Sequence, residues 1–179
     1  MSIEHFFLMV TIAACAVGAL IDARTGRIPN WLTLGLSTAA LLGHAALAFH
    51  RDGGIRASFL ALGLCLVGAA GSALLPILLL RVGGLGMGDV KLFAAIGVAC
   101  GALVGLYAQT YAYVIALPYA LAVVMRQRKL ATTLANLRTV LSPRRNAAVP
   151  IDRQGFTEVR FGPAIFAGMC IAAWARWSA

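Results

Sequence analysis

Acidic residues are scarce in this chain: there are six in 179 positions, Glu4, Asp22, Asp52, Asp89, Asp152 and Glu158. Charge of either sign makes up only 12% of the residues, about half the roughly 25% of a soluble domain. That deficit excludes an ordinary soluble globular protein. Paired cysteines are also missing. Cys15, Cys65, Cys100 and Cys170 each stand alone in an apolar run, which excludes a CxxC zinc site and a disulfide framework and marks them as small buried hydrophobes. The opening "MSIEHFF" has no basic stretch ahead of its first apolar run, so no removable signal peptide is expected.

What remains is a greasy, basic chain, 61% hydrophobic with a mean hydropathy of +0.87 and a net charge of +9. The positive residues sit between apolar runs and are not spread over a surface. That pattern is membrane topology, not a nucleic-acid face.

Uncharged windows cover residues 5–21, 28–50, 57–80, 92–125 and 161–175. A helix needs about 20 residues, at about 1.5 Å each, to cross a hydrocarbon core. The second and third windows are single spans, and flanking residues complete the first and last: His5, Trp174 and Trp177 suit the interface and Arg176 can snorkel. The fourth window, 92–125, is too long for one helix and tight for two. Charge decides it. Residues 126–160 carry eight positives, namely Arg126, Arg128, Lys129, Arg138, Arg144, Arg145, Arg153 and Arg160, and short basic loops stay cytoplasmic. Two helices turning near Tyr107 to Tyr111 put this loop on the same side as Arg24, Arg27, Arg81 and Lys91, so that twelve of the fifteen positives are inside. The expectation is an all-α polytopic protein with six transmembrane helices in one domain, residues 1–179, with both termini outside. Pro76 and Pro118 are expected kinks.

In this topology Asp22 ends the first helix and Asp89 begins the fourth, both at the cytoplasmic boundary. Asp89 follows "GGLGMG", four glycines in six positions. Each feature has a plain explanation. Asp89 can cap its helix, Asp22 can pair with Arg24 or Arg27 for about 0–1 kcal/mol, and the glycines can form a turn. The alternative is a carboxylate pair at one depth. Two close carboxylates do not both ionise readily, so one keeps a proton while the other can take one from water. That is the chemistry of aspartic proteolysis, and glycines beside one aspartate would let a substrate backbone approach.

"GMGD" (Gly86 to Asp89), followed by "VKL", resembles the GxGD motif of membrane aspartic peptidases. "IDARTGRIPNWL" (Ile21 to Leu32) and "RFGPAIFAG" (Arg160 to Gly168) resemble the first-aspartate motif and the last helix start of one branch, the prepilin peptidase or type IV leader peptidase family. The resemblance covers about residues 6–177. It implies an inner-membrane enzyme, with no cofactor or metal, that removes the leader peptide from pilin-like precursors at the cytoplasmic face. Asp22 and Asp89 would be the catalytic pair, Gly86 and Gly88 the motif glycines, and Pro29, Asn30, Gly162 and Pro163 framework positions. Larger members carry an N-terminal cytoplasmic region with paired cysteines and also N-methylate the product. Here Asp22 comes early and no CxxC is present, which implies peptidase activity alone and a likeness to the small branch serving Flp-type (tight-adherence) pili. The implied partners are a pilin precursor and membrane lipid.

A proton-coupled transporter or a non-catalytic pilus-assembly scaffold are the alternatives. Both acids on one membrane side, and no inverted repeat, argue against a transport path. Leu130, Leu134, Leu137 and Leu141 share one helical face, so the basic loop 126–160 is expected to hold an amphipathic helix on the membrane surface. His44 and His50 are expected as buried polar contacts far from the aspartates. Lys91, two positions after Asp89, is expected to point away from it.

Overall fold

The computed structural model describes residues 3–52, 54–81, 85–126 and 160–177. The chain divides into two compact units, Met1–Ile115 with Arg160–Ala179, and Ala116–Val159; the core and the site below belong to the first. The amphipathic helix expected within 126–160 lies outside the described residues.

Five helical stretches make up the described residues: α1 (Ile3–Thr25), α2 (Asn30–Asp52), α3 (Ile55–Arg81), α4 (Met87–Arg126) and α5 (Gly162–Trp177). The fold is all-α, as expected. The first four are long and apolar enough to cross a membrane. Their outer faces carry Leu42, Phe59, Leu64 and Leu74 in full exposure, a surface that suits lipid tails and not water. The protein is a multi-pass membrane protein.

The four spans do not run through as sequence length suggests. At Gly101 the backbone of α4 leaves the helix, with φ 84° and ψ 166°. This region of backbone space is essentially open to glycine alone. Within the first unit the two arms, residues 87–100 and 102–115, then fold back on each other. Gly97 Cα lies 3.6 Å from where a Cβ on Gly105 would stand, and the rings of Phe93 and Tyr113 are 5.9 Å apart; a straight helix would separate those two rings by about 30 Å. The expected turn near Tyr107 to Tyr111 is therefore corrected to Gly101, because only glycine tolerates the required φ. The first arm has fourteen residues, or about 21 Å, short of the roughly 30 Å hydrocarbon core.

That short arm is the centre of the molecule. Leu92, Phe93 and Ile96 on it are fully buried, together with Cys15 of α1 and Ile165 and Met169 of α5. Helices without a hydrophobic driving force between them pack through small residues, and these helices do. A Cβ on Gly68 of α3 would fall within bonding distance of the Gly97 carbonyl, and one on Gly168 of α5 would lie 2.5 Å from the Ala108 carbonyl. The chain runs through Pro76 and Pro118 without ending either helix. Pro76 has no N–H to offer the Ser72 carbonyl four residues back; the Gln109 side-chain amide donates to that carbonyl instead.

The cysteines are all free, Cys15 and Cys65 buried, Cys100 and Cys170 half-buried. His44 stacks on Phe7 with centroids 4.0 Å apart, and its Nε2 donates to the Ala99 carbonyl at 3.0 Å. It thus satisfies an orphan carbonyl at the end of the first α4 arm. His50 is exposed, contrary to expectation, because α2 ends two residues later beyond the packed part of the bundle.

Candidate active site

The end of α1 is set by Gly26, whose φ of 68° gives the left-handed turn after the last helical residue. Its N–H donates to the Asp22 carbonyl at 2.8 Å, closing the helix as a glycine C-cap does. Asp22 thus lies one turn inside α1. Its side chain is buried at 6% exposure, and its Oδ2 accepts the N–H of Gly162 at 2.8 Å. Gly162 opens α5, so this N–H is one of the donors that the helix itself cannot satisfy. A Cβ on Gly162 would stand 2.8 Å from both Asp22 Cβ and Oδ2. The glycine is there because the carboxylate occupies the space of a side chain.

Asp89 is built in the same way. It is buried at 9% exposure, and its Oδ2 accepts the Gly86 N–H at 3.1 Å. With α4 starting at Met87, this is the third-residue half of a capping box. Asp89 is thus not the N-cap residue itself, a place taken by Gly86, but bonds back to it from the third helical position, and this capping does not compete with the other reading. Among the described residues no further hydrogen bond engages the side chain of either aspartate. Each carboxylate sits at the positive end of a helix, Asp22 at that of α5 and Asp89 at that of α4, where negative charge is favoured.

The two carboxylates, 67 positions apart in sequence, are close enough for their charges to interact. Both line one cavity of about 600 Å³, whose walls include Thr25, Ile28, Pro29, Asn30, Gly86, Gly88 and Lys91. The alternative pairing of Asp22 with Arg24 or Arg27 is not among the salt bridges of the described residues, where Arg176 joins Glu4 at 3.3 Å. Arg160, just ahead of α5, donates to the Ala23 carbonyl and fastens the entry of α5 to the end of α1.

The other expected site residues have separate places. Pro29 lines the cavity and its carbonyl accepts the Leu32 N–H at 3.2 Å. Asn30 Oδ1 accepts from Lys91 Nζ at 2.9 Å, tying the start of α2 to the first turn of α4. Lys91 thus lines the cavity with its ammonium held by Asn30. Gly86 is exposed on the cavity and a Cβ there would come within 3.2 Å of Asp89 Oδ2. Gly88 is different. A Cβ on it would meet Ile28 Cβ at 3.2 Å, so it lets α4 close against the α1–α2 loop. Pro163 is exposed in the first turn of α5, where a proline's missing N–H costs nothing. The contacts of Ile28 and Lys91 were not readable in the sequence because they depend on which loop meets which helix.

These features define a class: a polytopic helical membrane protein with two buried carboxylates in one cavity at one end of the bundle. Residues 9–121 match the model of the type IV leader peptidase family, and the chain belongs to that family. No curated protein and no solved structure matches it.

Proposed function

We propose that the protein is a membrane aspartic endopeptidase that removes the leader peptide from type IV pilin-like precursors at the cytoplasmic face of the inner membrane, with Asp22 and Asp89 as the catalytic pair. Membership of a leader peptidase family supplies protease activity in general. The observation that carries the finer reading is the convergence of both aspartates, each on a glycine N–H, in one cavity.

In peptide hydrolysis at such a pair, the ionised carboxylate takes a proton from a water whose oxygen bonds to the peptide carbonyl carbon. The protonated carboxylate gives its proton to the carbonyl oxygen. The tetrahedral intermediate then collapses: the C–N bond breaks, the leaving nitrogen takes up the proton held by the first carboxylate, and the hydroxyl that becomes the new carbonyl returns its proton to the second. The Gly86 and Gly162 N–H groups hold one oxygen of each carboxylate and so fix its orientation.

Six membrane crossings with both termini outside fit the hairpin at Gly101 and the loop charges. The absence of a CxxC pair from the sequence supports peptidase activity without N-methylation. Co-expression with a panel of pilin-like precursors tests the substrate class: loss of the leader, seen as a mobility shift, is expected for precursors with a short basic leader and not for an unrelated membrane protein.

A further inference from the structure

Asp89 lies twelve positions before the turn at Gly101, and Tyr113 lies twelve positions after it. Because the two arms of α4 run side by side, this equal count brings Tyr113 level with Asp89. The aromatic contacts agree. The Tyr113 ring lies between Phe93, one turn beyond Asp89, at 5.9 Å, and Phe161, the neighbour of Gly162, at 5.7 Å. The phenol oxygen is buried and has no hydrogen-bond partner among the described residues, and Asp89 is within electrostatic reach of it. Tyr113 packs on these two rings and is not among the residues lining the cavity.

A buried hydroxyl without a partner is costly, and phenylalanine would fill the same aromatic slot without that cost. We propose that Tyr113 is a positioning residue for Asp89: its hydroxyl donates a hydrogen bond to the Asp89 carboxylate during turnover, steadying the ionised form and its orientation. This rests on the reading of Asp89 as catalytic. The other charged groups at this end of the bundle are Asp22 on α1, Arg24 and Arg27 at and after its end, Arg81 at the end of α3, Lys91 on α4, already bonded to Asn30, and Arg160 ahead of α5, bonded to the Ala23 carbonyl.

The test uses the full-length enzyme in detergent and a synthetic peptide spanning the leader junction of a type IV pilin precursor. Tyr113→Phe is expected to lower kcat about tenfold with KM little changed, the loss expected for one hydrogen bond to a charged group. A donor to the ionised carboxylate favours that form, so its removal moves the acid limb of the pH–rate profile up by about one unit. The thermal midpoint should hold or rise, because an unpartnered hydroxyl has been deleted. A tyrosine that only fills space would leave kcat and the acid limb at wild-type values, and that result overturns the proposal. Should Tyr113→Phe fail to accumulate, 3-fluorotyrosine at position 113 keeps the packing and makes a stronger donor; the acid limb then moves down, and an unmoved limb overturns the proposal. Asp89→Asn is measured alongside. If it cleaves like wild type, the catalytic pair fails and this proposal with it. If it is inactive while Tyr113→Phe is indistinguishable from wild type, only the role of Tyr113 fails.

Discussion

Gly162 and Gly86 each hold a carboxylate through a backbone N–H, yet a side chain at the two positions meets different surroundings. At Gly162 a Cβ would be 2.8 Å from Asp22 Cβ and Oδ2 in a buried contact between α1 and α5. Gly162→Ala is therefore expected to push Asp22 off its N–H, reduce cleavage at least tenfold and lower the thermal midpoint as well. At Gly86 the nearest atom is the carboxylate oxygen at 3.2 Å, on an exposed turn. Gly86→Ala is expected to reduce turnover with the thermal midpoint unchanged. Cleavage rate and thermal melting of the same preparations check both. Equal rates in all three proteins would mean that these glycines do not set the aspartates. At this scale much of the site was legible: the two aspartates and the glycine beside each sit in short motifs whose chemistry is local. The places of Lys91, bonded to Asn30, and of Tyr113, packed on Phe93 and Phe161, were not legible, because only the tertiary fold brings those partners near.

At the scale of elements, the hairpin in α4 is decisive. Gly97, Gly101 and Gly105 recur every fourth residue, which in sequence reads as one close-packing helix face. Nothing in that spacing says which glycine breaks the helix. The fold decides it: Gly97 lies against the Gly68 backbone, Gly105 lies against Ser72 and Gly97, and Gly101 alone of the three has open space and positive φ. An alanine at Gly101 meets no neighbour but must adopt a conformation costing about 1–3 kcal/mol. Gly101→Ala is expected to lower stability by that amount, while Tyr107→Ala, on the exposed face where the turn was first expected, changes it little. Thermal melts of the two variants distinguish a turn at Gly101 from one near Tyr107. The helical windows themselves were legible because apolar run length is a one-dimensional property.

Across the whole molecule, the described charges separate by end. The aspartate end carries Asp22, Asp89, Arg24, Arg27, Arg81, Lys91 and Arg160. The other end carries Glu4, Arg51, Asp52, Arg56 and Arg176, of which Glu4, Arg51 and Arg176 line a second cavity together with Gly101. This puts the turn of α4 at the end away from the aspartates. With more positives at the aspartate end, that end is expected in the cytoplasm. Single cysteines introduced at 24–27 and at 85 should be shielded from an impermeant thiol reagent in intact cells, and cysteines at 51 and 54 should be labelled. The reverse pattern would place the aspartates outside and remove access to a cytoplasmic leader.

The central claim is that Asp22 and Asp89 act as one catalytic unit, and the cleavage rate of a pilin precursor per amount of folded enzyme tests it most directly. The rate is compared for wild type, Asp22→Asn, Asp89→Asn and the double variant. Two groups that share one reaction are expected to be strongly non-additive. Each single variant should lose essentially all cleavage, and the double variant should be no worse than either. Substantial cleavage by either single variant, with the protein folded in the membrane, would contradict the account.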